Sequence, residues 1–180
     1  MSYLERKLRR IRNKNPRPKC CFINGHDVHS VNLLYEIPDT EVRSAMQKYD
    51  DLREVAELCA QRDIRFRAWV YVRKPQWFKP IPEITVLSRK TDHWFPRRPQ
   101  GRVVRSFMAD ESDVLMNFAV SQVSTLEQLA EYSQSPFRVS VVREGVHAKY
   151  EFMVNMMQSS ANLVESFNTV MFYMDTIQTK

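Results

Sequence analysis

Four residues near the start of the chain, Cys20, Cys21, His26 and His29, are of the types that ligate metal, and they fall within ten positions. Zinc takes its ligands tetrahedrally, usually from C-x2-C and H-x3-H pairs, and adjacent cysteines seldom both reach one ion. The spacing matches neither pattern, so these side chains read better as reduced thiols and surface histidines. No metal and no cofactor is expected.

Catalytic patterns are equally thin. There is no G-x-S-x-G turn to expose a nucleophilic serine. Pro38-Asp39 could open a metal-nuclease motif, but no later acid stands two residues before a lysine, and Asp39 reads better as a helix cap. Asp92-His93 could form an acid-base dyad only with partners that the sequence does not identify. Glycine is scarce: Gly25, Gly101 and Gly145 stand far apart, whereas a phosphate-cradling loop needs several close together. P-loop and dinucleotide chemistry are therefore excluded, and the balance falls against an enzyme.

What remains is charge joined to aromaticity. The net charge of +6 is segregated along the chain. Residues 1–19 carry eight Lys/Arg against the single acid Glu5, and residues 61–105 carry twelve against three acids, while the segments between and after are acidic. Segregated charge creates a field. All three tryptophans lie in the second basic segment, and two of its loops set a Trp-Phe pair beside cations: Trp77-Phe78-Lys79, and Trp94-Phe95 ahead of Arg97 and Arg98. Single-stranded nucleic acid is held by such means, since bases stack on aromatic faces while Lys and Arg neutralise phosphates. Cross-strand Arg–Trp contacts also stabilise a sheet without any ligand, so the same residues have a structural reading.

Elements must position these residues. Residues 64–73 alternate, with Ile64, Phe66, Ala68, Val70 and Val72 on one face and Arg65, Arg67, Trp69, Tyr71 and Arg73 on the other, which predicts a strand with a solvated basic-aromatic face. The 3.6 period of Val42, Met46, Tyr49, Leu52, Val55, Ala56 and Cys59 predicts a helix to about Arg62, capped by Asp39 or Thr40. Residues 83–89, 102–108, 114–120 and 137–143 read as further strands, the second and third pairing across a polar turn. Ser124 with Glu127 reads as a capping box opening a short helix that ends before Pro136. A long helix is expected after Gly145, with Val146, Tyr150, Met153, Met157, Phe167, Met171 and Met174 in one stripe. Leu4, Leu8 and Ile11 among Arg6, Lys7, Arg9, Arg10 and Arg12 predict a basic amphipathic helix, followed by an extended linker at Pro16 and Pro18. Residues 20–37 fit strand and helix equally.

The reading is thus a basic arm over residues 1–19 and one α+β domain over 20–180, an antiparallel sheet of four to five strands with helices packed on one face. The expected function is non-enzymatic nucleic-acid binding: Arg65, Arg67, Trp69, Tyr71 and Arg73 as platform, Trp77, Lys79, Trp94, Arg97 and Arg98 as clamp, and Arg9, Arg10 and Arg12 adding phosphate contacts. The alternative is a protein-interaction or assembly module, of the sort a small viral accessory or virion protein would be, engaging an acidic partner. Met153, Met157, Phe167, Met171 and Met174 are candidates for a homodimer or partner interface. With three cysteines and no apolar run long enough for a membrane span, the expected location is cytoplasmic.

Overall fold

A computed structural model describes residues 19–93, 98–121, 123–142, 150–155 and 162–177. The expected arm lies, but for Lys19, outside them. Six strands form one sheet: β1 (Ser30–Ile37), β2 (Arg65–Val72), β3 (Ile84–Leu87), β6 (Val114–Asn117), β7 (Phe137–Val141) and β8 (Phe152–Val154), in the order β3-β2-β1-β6-β7-β8. Every pairing within it is parallel. Two short strands, β4 (Asp92–His93) and β5 (Arg98–Pro99), make a separate antiparallel hairpin. The fold is therefore α/β, and the expected antiparallel α+β sheet is overturned.

Four α-helices cover both faces. On the first, α1 (Val42–Gln61) and α4 (Leu163–Thr176) pack over Val31, Leu33, Val70, Met116 and Val139; on the second, α2 (Gly101–Ala109) and α3 (Ser124–Tyr132) pack over Leu34, Trp69, Leu87 and Leu115. Parallel strands require crossovers, and these place helices on both sides, so inner strands lose the alternation that marks a half-solvated sheet. β1 is the extreme case: all eight of its residues are buried. That is why Ser30–Ile37, which runs Val-Asn-Leu-Leu-Tyr-Glu-Ile after its first residue, showed no period and went unread.

The other departures have local causes. Residues 102–108, rich in Val and Phe, were expected as a strand but form most of α2, where Val103, Val104 and Phe107 face the core while Arg102, Arg105 and Ser106 are exposed. β-prone composition concealed a helical spacing of i, i+1, i+4. β6 consequently pairs with β1 and β7 instead of with that segment. The expected terminal helix begins only at Leu163, where Asn162 Oδ1 accepts from the Glu165 N–H at 2.8 Å, and Phe152–Val154 is a strand. At α3 the N-cap is Val123, without a side-chain cap bond.

α1 buries Tyr49, Leu52, Val55 and Cys59 of its expected stripe together with Ala45, while Met46 and Ala56 are partly buried and Val42 is exposed. Its start differs: Glu41 is the N-cap, and Asp39 instead accepts from Ser44 Oγ (2.6 Å) and Lys48 Nζ (2.7 Å). Burial pushes the Asp39 carboxyl up, but those two hydrogen bonds outweigh it and hold it below its ordinary value. Its end is a Schellman turn. The Ile64 N–H reaches the Cys59 carbonyl (2.8 Å) and the Asp63 N–H the Ala60 carbonyl (3.1 Å), with Asp63 at φ 56° in the left-handed region that short polar side chains tolerate.

Burial also sorts the thiols. Cys59 lies in the core, where desolvation pushes its thiol up to about 12 although Arg62 opposes the shift, whereas Cys20 and Cys21 are exposed. Because thiolate is the reacting form, native protein at about pH 8 will react promptly with a disulfide reagent at Cys20 and Cys21 only. Cys59 will react on unfolding; its prompt modification in native protein would contradict the packing of α1.

Candidate nucleic-acid interface

In a sheet of this strand order, the order reverses between β1 and β6, and ligands of doubly wound folds bind beyond the carboxyl ends of the strands at such a point. Fold analogy alone assigns no function, so the residues at each end of the sheet matter more.

At the amino end of β2, Arg65 donates to an Asp110 carboxylate oxygen and to the Glu111 carbonyl. Arg67 donates to the Pro82 carbonyl, and its Nε lies 3.6 Å from Asp110 Oδ2. Arg62 sits 3.5 Å from Asp175. These cations are engaged by acids from the ends of α2 and α4.

Trp69, expected at the centre of an exposed platform, is 2% exposed and packs edge-to-face on Phe107 of α2, ring centroids 4.9 Å apart. Tyr71 is part-buried and donates to Asp92 Oδ2 at 2.9 Å. Trp77 packs, partly buried, against the cluster of the opposite sheet face, near Phe78, which lies 4.9 Å from the Tyr49 ring. Trp69 and Trp77 therefore occupy opposite sides of the sheet, and Arg65, Arg67, Trp69, Tyr71 and Arg73 do not share a solvent-facing platform. The reason is that β2 is an inner parallel strand covered on both faces.

At the carboxyl end the situation reverses. β2 runs out into Arg73 and Lys74, and β3 into Ser88, Arg89 and Lys90. Tyr71 is paired with Leu87, so the two cation pairs leave adjacent strands side by side. Gln100, the N-cap of α2, donates through Nε2 to the Lys90 carbonyl at 2.9 Å, which brings Arg102 of the first α2 turn to the same end. All five cations are exposed. Among the described residues, no acid pairs with Arg73, Lys74, Lys79, Arg89, Lys90 or Arg102. The β4–β5 hairpin belongs to this end as well, with His93 opposite Arg98; Trp94, Arg97 and the Arg98 side chain lie outside the described residues, as do Arg9, Arg10 and Arg12.

Beside the cations lies a polar layer on the second sheet face. Glu36, at the end of β1, accepts from the Ser121 N–H (3.0 Å) and from Ser121 Oγ at both oxygens (2.8 and 2.7 Å). Asp92 accepts from Thr125 Oγ1 (2.7 Å) as well as Tyr71. Asn117 Nδ2 donates to Glu127 Oε1 (3.3 Å) and to Tyr150 Oη. Both oxygens of Glu36 and of Asp92 are occupied by protein donors, so these acids anchor the loop after β6 and the start of α3. Among the described residues, no group of three or more His, Cys, Asp and Glu is placed to hold a metal ion; Cys20, Cys21, His26 and His29 are each exposed.

No protein-family model matches the chain, and a search of curated proteins finds no relative. The site therefore rests on its own geometry.

The expected partner interface also divides. Phe167, Met171 and Met174 are buried at 1% exposure or less, as the side of α4 that packs toward the sheet and α1; they form core, not a free stripe. Met153, on the edge strand β8, is exposed, and Met157 lies outside the described residues. Among the described residues no helix is long and apolar enough to cross a membrane.

Sequence reasoning named Arg73 but missed Lys74, Arg89, Lys90 and Arg102. The signal that could have found them is position: cations immediately after two strand ends, on the side where parallel strands all finish.

Proposed function

We propose that the chain binds nucleic acid, single strands foremost, along the carboxyl edge of its sheet. Arg73, Lys74, Arg89, Lys90 and Arg102 contact phosphates there, and the β4–β5 hairpin borders the track. One observation carries this reading: the cations at the amino end are engaged by Asp110 and Asp175, while those at the carboxyl end are exposed with no acid paired to them among the described residues. Five cations without counter-charge at one edge raise the local potential, and when they neutralise the phosphates of a polyanion they release the counterions condensed on it. Fixed phosphates on a strand suit such a row better than scattered carboxylates on a protein surface.

The test is a salt titration of a labelled single-stranded oligonucleotide. Neutralising Arg73, Lys74, Arg89 and Lys90 to alanine together will lower the slope of log affinity against log salt by about 3, at roughly 0.7 per phosphate contact, and weaken binding about 10- to 100-fold at low salt. The paired variant Arg65→Ala/Arg67→Ala will leave the slope unchanged. An unaltered slope in the fourfold variant, or an equal loss in the paired one, overturns the assignment.

A further inference from the structure

β8 closes one side of the sheet. It pairs with β7 alone, setting Phe152, Met153 and Val154 beside Val139, Ser140 and Val141, and among the described residues no strand lies along its other edge. Such an edge presents a row of N–H and C=O groups that a further strand can complete, and proteins usually blunt it with lysine, proline or a bulge. Phe152–Val154 carries neither charge nor proline.

Apolar side chains flank this edge on both faces of the sheet. Phe152 and Val154 point into the layer of α1 and α4, where the Tyr173 ring lies 6.0 Å from Phe152 and the Phe172 ring 6.0 Å from Tyr173. Phe172 is nonetheless 63% exposed and Tyr173 43%. Met153 and Val142 alternate to the opposite face, both exposed, and Val142 stays beside β8 by donating its N–H to the Val154 carbonyl at 2.9 Å. Among the described residues six large apolar side chains are exposed, and four of them gather here. Neither β8 nor α4 contains a Lys or Arg, so the patch has no cation to hold a polyanion.

We propose that this edge receives a second copy of the chain, β8 pairing antiparallel with its counterpart about a two-fold axis normal to the sheet. An occupant must offer a free strand edge with apolar groups on both faces, and the chain's own edge is such a surface, so the patch is complementary to itself. An axis normal to the sheet keeps each face on the same side in both copies. α4 therefore meets its counterpart, Phe172 and Tyr173 closing on their equivalents, and Met153 opposes its own equivalent on the other face.

Area sets the strength. The exposed parts of Val142, Met153, Phe172 and Tyr173 come to roughly 400 Å² per copy, about half of the ~800 Å² that each partner of a standard interface buries. The strand edge and the exposed Asn168 and Thr176 of α4 adjoin them, and the sum corresponds to a reversible dimer in the micromolar range. Pairing leaves β3 at either outer edge of the joined sheet, so the carboxyl-end cations of both copies stay uncovered.

Sedimentation of the full chain without nucleic acid, from about 1 to 200 µM, will show a monomer passing reversibly into a dimer. Met153→Lys/Phe172→Lys changes two exposed side chains, will keep the native circular dichroism, and will weaken the dimer at least about ten-fold by placing like charges across the axis. Register is tested by Met153→Cys in a Cys20→Ser/Cys21→Ser background. Opposed residues of an antiparallel pair stand about 4.5–5.5 Å apart at Cα, within disulfide reach, so mild oxidation will join the introduced thiols into a covalent dimer, while Val120→Cys in the same background stays monomeric. A monomer throughout the concentration range, a dimer that the lysines leave intact, or thiols that do not join preferentially at position 153 overturns the proposal. No measurement contains nucleic acid, so the result is independent of the carboxyl-edge reading.

Discussion

Replacing Trp69 with alanine will destabilise the protein by roughly 3–5 kcal/mol, the range for deleting a large buried aromatic side chain. The ring is 2% exposed, sits among Leu34, Leu87, Val104, Leu115 and Leu126, and meets Phe107 edge-to-face. The loss combines apolar surface no longer withdrawn from water, a residual cavity between sheet and α2, and the ring–ring contact. Trp69→Phe will cost less than about 1.5 kcal/mol: it keeps a ring against Phe107, and the indole N–H it removes is buried with no acceptor among the described residues. Denaturant unfolding of the three proteins measures both effects. The folded fraction of each variant should bind oligonucleotide with unchanged affinity. A Trp69→Ala protein of native stability that no longer binds would place the ring at the surface, against a doubly covered sheet.

The second large effect concerns a buried charge. Arg138, on β7, is 4% exposed. Glu151 Oε2 accepts from its backbone N–H at 2.8 Å and from Nε at 3.4 Å, the Ala130 carbonyl accepts from Nη1 at 3.3 Å, and the Tyr150 ring lies 5.9 Å from its guanidinium carbon. Glu151→Ala will cost roughly 3–5 kcal/mol, because it removes the carboxylate that accepts from a buried guanidinium and from the Arg138 backbone N–H. Glu151→Gln retains an acceptor and will cost less. The pair Arg138→Met/Glu151→Met will be more stable than Glu151→Ala alone, since exchanging both partners for apolar side chains removes the desolvation penalty along with the attraction. A double variant less stable than the single one would show that the pair contributes more than charge compensation. Chemical denaturation of the set, read as a double-mutant cycle, measures this.

Glu151 and Tyr150 precede β8, whereas Arg138 and Ala130 belong to β7 and to the helix before it. The ion pair therefore fastens the β8 edge to the sheet at a position that no local pattern announces. An arginine between Phe137 and Val139 reads, from sequence, as the outward residue of an alternating strand.

Several features were legible from residue spacing alone. The apolar stripe of α1 needs only the 3.6 period, and β2 and β7 lie where β-branched and aromatic residues concentrate, because those propensities act within a few residues of chain. The scattered glycines and the segregated charge are likewise one-dimensional facts. Tertiary structure decided the rest. Whether strands pair parallel depends on crossovers joining distant segments, so β1, buried on both faces, lost the alternation by which strands are recognised, and the Val- and Phe-rich stretch before β6 became helix α2. The same pairing put Trp69 in the core. It also set Arg62, Arg65 and Arg67 against Asp110 and Asp175 at the amino end and left Arg73, Lys74, Arg89, Lys90 and Arg102 exposed at the carboxyl end. Composition supplies the charge, but only the direction in which neighbouring strands run determines which charges meet a partner.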